Sequence, residues 1–293
     1  MPYQIVGIGE ILWDVFPDGP RFGGAPANFA CCVAEMAGDS AETCVVSAVG
    51  DDQLGSRAIE SLQSRGVITS FVPANDRPTG RVLVELDNNG IASYRFDEDS
   101  AWDHIEWNDD LNNLASRCDA VCFGTLGQRN HVSGETIRHF VKGTPQSTLR
   151  ILDVNLREPF FSDERILDSL KLANVLKLNS EELPMIAQLI NLAGEEIDVM
   201  RQVVRMFNLR CVALTRGAGG AAIVSDDSVS QLPGAPVEVV DTVGAGDAFT
   251  ASMTLDLLAD VSLEEVNRNA ITAASYVCSK PGATMSFPRH LRR

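Results

Sequence analysis

Short apolar runs of strand length recur along the 293-residue chain, and segments with helical spacing lie between them. Gln4–Ile8, Cys44–Val49, Ala120–Phe123, Arg150–Val154, Val175–Leu178 and Cys211–Thr215 read as strands. Ala27–Ala37, Leu54–Arg65, Thr136–Val141, Glu181–Leu192, Glu196–Phe207 and Leu263–Ser279 read as helices. Strands that alternate with helices predict an α/β fold, a mostly parallel central sheet with helices on both faces. Ligands of such sheets bind beyond the carboxyl ends of the strands. The informative loops here all follow predicted strands. Two segments break the alternation. Ile11–Phe16 and Arg21–Gly23 flank a Pro-Asp-Gly turn, and Arg81–Leu86 and Ile91–Phe96 flank Asp87-Asn88-Asn89-Gly90, where Asn-Gly suits a tight hairpin. Two hairpins outside the parallel sheet predict a small antiparallel β lid. The lid is inserted at about 11–24 and 79–101 of a single domain spanning 1–293.

Composition narrows the classes of function. Hydrophobic residues make up 45% of the chain, enough for a large core. The net charge of −16 excludes a nucleic-acid partner, which needs a basic face, and disfavours an anionic membrane surface. Small anions stay open, because oriented amides and a metal ion bind them locally. Seven cysteines lie mostly in apolar runs with no C-x-x-C, which points to free thiols in a reducing, cytoplasmic setting. The start MPYQIVGIGEIL has no basic leader, and no uncharged apolar run reaches 18 residues. His104, His131, His139 and His290 are scattered, without zinc spacing or a local triad signature.

The densest chemistry is Asp241-Thr-Val-Gly-Ala-Gly-Asp247. It follows the β-branched run Val237, Val239, Val240 and precedes the apolar segment Ala248–Leu258, an order that reads strand, glycine loop, helix. Gly244 and Gly246 allow backbone N–H groups to turn toward one point, and a helix start adds unpaired donors. Such a loop can hold phosphate beside a carboxylate. Read alone, it is also an ordinary turn with Asp247 as a helix N-cap. Gly23-Gly24-Ala25-Pro26-Ala27-Asn28 permits close backbone approach to a ligand; the plain alternative is a glycine turn with Asn28 as N-cap.

These segments together resemble the ribokinase-like, or PfkB, carbohydrate kinase family. Gly-Gly-Ala-Pro-Ala-Asn resembles its amino-terminal signature and Asp-Thr-Val-Gly-Ala-Gly-Asp its carboxyl-terminal one. The resemblance runs from about residue 3 to about residue 288. Gly9-Glu10-Ile11-Leu12-Trp13-Asp14-Val15-Phe16-Pro17 brings it nearest to the fructokinase branch. The activity implied is ATP-dependent phosphorylation of a small sugar, D-fructose first, with 2-keto-3-deoxygluconate, ribose or another sugar as alternatives. A catalytically silent sugar-binding homologue is the non-enzymatic alternative. A dinucleotide oxidoreductase fits poorly, since Gly7-Ile8-Gly9 lacks a third glycine at the required spacing.

The resemblance implies roles residue by residue. Asp247 would be the general base, and Gly244, Ala245 and Gly246 the anion hole around the transferring phosphoryl group. Asp14, Gly24 and Asn28 would bind sugar hydroxyls, with Phe96 or Trp102 covering the sugar. Asp153-Val-Asn155-Leu-Arg157 resembles the family's Asp-x-Asn-x-Arg, so Asn155 and Arg157 would face substrate or phosphates. Asn179-Ser-Glu-Glu182 resembles Asn-x-x-Glu; Asn179 would reach the nucleotide phosphates and Glu182 would organise magnesium through water. Thr215, Gly217 and Gly219 would form the nucleotide loop. Asp241, Val243, Gly282 and Ser286 would hold a monovalent cation, with potassium as activator. Arg95 would suit a carboxylated sugar. A homodimer through the lid is also implied.

Overall fold

The computed structural model describes residues 1–86 and 92–293. From the amino end come β1 (Tyr3–Ile8), β2 (Leu12–Phe16), β3 (Gly19–Gly23), α1 (Ala25–Ala37), β4 (Ala41–Val46), β5 (Val49–Gly50) and α2 (Gln53–Gln63). Then follow β6 (Ala74–Asn75), β7 (Gly80–Leu86), β8 (Ala92–Phe96), α3 (Asp109–Ala115), β9 (Ala120–Phe123), α4 (His131–Gly143), β10 (Leu149–Asp153) and α5 (Asp163–Leu172). The carboxyl half adds β11 (Val175–Asn179), α6 (Glu182–Leu189), α7 (Glu196–Phe207), β12 (Cys211–Thr215), β13 (Ala221–Val224), β14 (Val229–Leu232), α8 (Ala245–Leu258) and α9 (Leu263–Cys278).

The central sheet has eight strands in the order β14-β13-β12-β11-β10-β9-β1-β4. The six from β12 to β4 are parallel; β13 and β14 are antiparallel at one edge. Alternation along each strand separates two cores. Val6, Ile8, Val121, Phe123, Leu152, Leu176 and Leu214 face α3 to α7. Ile5, Ala120, Cys122, Ile151, Val175 and Ala213 face α1, α8 and α9. Both faces are covered, so β1, β9 and β10 read as nearly continuous apolar runs in the sequence. All six cysteines from Cys31 to Cys211 are buried free thiols. Among the described residues, no helix is long and apolar enough to cross a membrane.

Four strands form the smaller sheet, in the order β3-β2-β7-β8. Both expected hairpins are antiparallel, and β2 joins β7 in parallel to fuse them. The turn expected at Asp87–Gly90 lies outside the described residues. Trp13 anchors this sheet to α2, donating its indole N–H to Leu54 O at 3.1 Å while Arg57 lies over the ring.

One expectation from the sequence needs correction, and neither plain N-cap alternative holds. The run Val237–Val240 is not a strand: the sheet edge is already taken by the β13–β14 hairpin. The segment runs extended without a ladder, held by Val240 and Asp241 N–H groups donating to Cys278 O. Asn28 caps nothing, because α1 starts three residues earlier with Gly24 as N-cap and Pro26 in its first turn. Asp247 does not cap α8 either; Gly244 does, and Asp247 lies inside the first turn.

Phe140 on α4 is fully buried between that helix and the sheet. Phe140→Ala is expected to lower unfolding free energy by about 3–5 kcal/mol. Urea unfolding should show a lower midpoint with an unchanged slope.

Candidate active site

A cleft of about 650 Å³ opens between the carboxyl ends of the central strands and the smaller sheet. Its walls carry Asp14, Asn28, Phe96, Asn155, Arg157, Lys177 and Asp247, with the glycines Gly24, Gly244 and Gly246. Residues far apart in sequence meet here because a parallel sheet sends all its strand ends to one side.

Backbone geometry explains two of the glycines. Gly24 has φ +109, and a Cβ there would lie 2.4 Å from Glu10 O. Gly244 has φ +79, and its Cβ would lie 2.6 Å from that of Ala283. A side chain at either position would be strained and would push two loops apart. Ala245 N–H donates to Thr242 O over a long 3.3 Å, so of the three expected anion-hole amides its hydrogen is already engaged in the turn. Gly246 and Asp247 lie in the first turn of α8, where N–H groups have no helical carbonyl one turn before them.

Asp247 is the electrostatic centre. Asn28 Nδ2 donates to Asp247 Oδ2 at 2.9 Å and so ties α1 to α8. Burial, and after it the nearby Asp153 charge, pushes the Asp247 carboxyl up to about 7; the Asn28 bond, Lys177 and Arg157 oppose that rise. Burial likewise raises Asp14, against the pull of Arg157 and Arg21. Glu10, 3% exposed, is pushed up to about 7 by burial. Its Oε1 accepts from Ala25 N–H at 3.3 Å, while its Oε2 has no partner among the described residues.

Lys177 and Glu10 are the polar residues that the sequence reading passed over. Lys177 stands in the apolar run Val175-Leu176-Lys177-Leu178 and is only 7% exposed. Its Nζ donates to Asp153 Oδ1 at 3.0 Å. Burial works against its charge, but Asp153 and Glu182 outweigh burial and the pKa is raised. The signal was available, since a lysine inside a strand covered on both faces needs a buried partner.

The lid residues separate by parity. Phe96 pairs with Val82 across the lid sheet, and both line the cleft. Phe96 also meets Phe160 edge to face at 5.3 Å. Arg95, one residue earlier, projects to the opposite face of the lid sheet. Trp102 is buried beneath Arg129 and does not line the cleft.

The proposed nucleotide residues sit at adjacent strand ends. Asn179 and Thr215 are register partners on β11 and β12, and Gly217 and Gly219 form the tight turn after them. None of these four lines the 650 Å³ cleft. Asn179 Oδ1 accepts from the N–H groups of Glu181 and Glu182, at 2.8 and 3.0 Å. Glu182 in turn accepts from Asn179 N–H at 2.8 Å and Leu156 N–H at 2.9 Å, one bond to each oxygen. Val239 and Val240, about 60% exposed, give the segment leading to Asp241 an apolar surface.

Asp241 joins two loops: its Oδ1 accepts from Val243 N–H and its Oδ2 from Gly282 N–H, each at 3.0 Å. Ser286 lies apart from that contact, its hydroxyl toward Glu35 and its carbonyl accepting from the Tyr276 hydroxyl.

The pfkB family carbohydrate kinase model matches residues 19–290. The chain belongs to the PfkB carbohydrate kinase family. Fructokinase-2 of Oryza sativa subsp. japonica is 27% identical over 317 residues, covering 98% of this chain and 91% of that protein. An uncharacterized sugar kinase from Pyrococcus horikoshii, solved in complex with ATP, is 25% identical with a TM-score of 0.82, covering 98% of this chain and 96% of the other. The fold also matches 2-dehydro-3-deoxygluconokinase of Thermotoga maritima, with a TM-score of 0.86, 17% identity and coverage of 99% and 97%. The fold is ribokinase-like and the protein is a carbohydrate kinase.

Because the folded pKa of Asp247 lies above its ordinary value of 3.8, the folded state binds that proton more tightly than the unfolded chain. This group therefore erodes stability as pH rises from about 4 through about 7. Asp247→Asn should melt at a higher temperature than the native chain at pH 8, with the gap closing toward pH 4. Calorimetry across that range checks it.

Proposed function

We propose that this chain is an ATP-dependent fructokinase with Asp247 as general base. The observation that carries the reading is a carboxylate pushed up to about 7, beside the Gly244–Gly246 turn in a sugar-sized cleft. Asp247 takes the proton of an acceptor hydroxyl. The hydroxyl oxygen then bonds to the γ-phosphorus, the bond from that phosphorus to the β–γ bridging oxygen breaks, and ADP leaves with the electron pair. The first-turn N–H groups of α8 offset charge on the transferring group. Asp14 and Asn28 hold sugar hydroxyls, Phe96 covers one ring face, and closure of the lid sheet excludes water.

ATP would lie across the ends of β11 and β12, with its base against the exposed valines before Asp241 and its phosphates toward Gly244–Gly246. Magnesium would ride on the phosphates, reached by Glu182 through water, and supply charge neutralisation. Potassium would be held where Asp241, Val243 and Gly282 converge.

A second reading, 2-keto-3-deoxygluconate kinase, is favoured by Arg157. This exposed cation lines the cleft and has no acidic partner within salt-bridge distance among the described residues, so it could meet a carboxylated sugar. Coupled ADP release with fructose, 2-keto-3-deoxygluconate and ribose decides between them. Fructose should give the highest kcat/KM, and activity without any sugar dependence would sink both readings.

Asp247→Asn or Asp247→Ala should lower kcat by about 10²–10⁴ with modest change in sugar KM. Turnover close to that of the native chain in either variant would overturn the base assignment. The active form is the carboxylate, so kcat/KM should rise with pH through about 7. Asn28→Leu removes a hydrogen bond that favours the charged form, so this limb should move to higher pH.

A further inference from the structure

Lys177 is more than half of a structural ion pair. Its Nζ is 3.0 Å from Asp153 Oδ1, and a Cβ built at Gly246 would sit 3.0 Å from the same nitrogen. The ammonium thus lies directly under the turn that opens α8. Asp153 is held from the other side: Thr250 Oγ1 is 2.9 Å from Asp153 Oδ2 and 3.0 Å from Gly246 O. An ammonium has three donors, and among the described residues Lys177 uses one. No oxygen of Asp247 or Glu182 comes within 4 Å of it, so the remaining donors are not spent on the neighbouring carboxylates.

Charge in the cleft points the same way. Glu10, Asp14, Glu158 and Asp247 line it, against two cations among the described residues, Arg157 and Lys177. Arg157 is exposed on a loop, whereas Lys177 is fixed in the floor. A buried ion pair adds little to stability compared with an apolar pair of similar volume. Its placement under Gly246, in the middle of β11 and against Asp153 at the end of β10, is where a polyphosphate would end.

Resting on the kinase reading above, we infer that Lys177 is a catalytic residue that donates to a terminal oxygen of the γ-phosphoryl group during transfer. It leaves ADP almost untouched, because its reach ends at the third phosphate. Asp153 and Thr250 are positioning residues that aim the ammonium.

The test uses the full chain carrying Lys177→Met, with Asp153→Asn added as a second variant that removes the carboxylate left unpaired. Magnesium complexes of ADP and of the non-hydrolysable analogue AMP-PNP are titrated calorimetrically. The expected result is AMP-PNP binding weakened by at least about tenfold with ADP binding nearly unchanged, since one charge-assisted bond is lost. With it, kcat should fall by about 10²–10³ while sugar KM holds. Equal weakening of both nucleotides would assign Lys177 a structural role only. Unchanged AMP-PNP affinity and kcat would overturn the inference. If the native chain itself releases no ADP in a sugar-dependent way, the kinase reading fails instead, an outcome that no Lys177 variant can produce.

Discussion

The cleft depends on keeping one carboxylate out of bulk water without leaving it uncompensated. Asp247 sits in the first turn of α8, where the helix end favours negative charge and burial opposes it. Asn28 supplies a direct donor from α1. Lys177 supplies charge from within β11 and Arg157 from the loop after β10. Moving any of these elements would change the balance, so the packing of α1 against α8 and the stagger of the strand ends are also electrostatic settings. A carboxyl poised near neutrality is the result.

Some of this was legible in the residue pattern. The bounds of β9, β12 and α7 coincide with those read from the sequence, because each is a strong periodic run with clear ends. α3 and α5 were not legible: one has only seven residues, and the other, DERILDSLKL, shows three buried positions in ten. The Val237–Val240 run misled because β-branched composition reports a preference for extended backbone, not the presence of a neighbouring strand to pair with. Both glycine signatures contribute residues to the wall of the cleft. The Lys177–Asp153–Thr250 network was not legible, since its members lie on three separate elements and meet only once the sheet is built.

The lid shows how a single structural parity resolves what composition leaves open. Phe96 or Trp102 was expected to cover the sugar, and Arg95 to suit a carboxylated one. Register places Phe96 with Val82 in the cleft and sends Arg95 to the other face, while Trp102 is consumed by packing under Arg129. The cleft therefore divides into an apolar patch, Val82 and Phe96 with Leu12 and Phe16, and a polar remainder that includes Asp14 on the lid sheet itself. That division suits a small polyhydroxylated ring. One face of such a ring can pack against an aromatic side chain while its hydroxyls need fixed acceptors such as Asp14 and Asn28.

An acidic chain that handles a nucleotide triphosphate is not a contradiction, because distance decides which charges matter. At physiological ionic strength, exposed charges fade over about 8 Å, so most of the net −16 is invisible from the cleft floor. What lines the cleft is local: the first turn of α8 at Gly246 and Asp247, the buried Lys177 ammonium, and the exposed Arg157. Low surrounding polarity makes each of these stronger than it would be in water. Burial, and after it the nearby acids, leaves Glu10 and Asp247 partly protonated near neutrality.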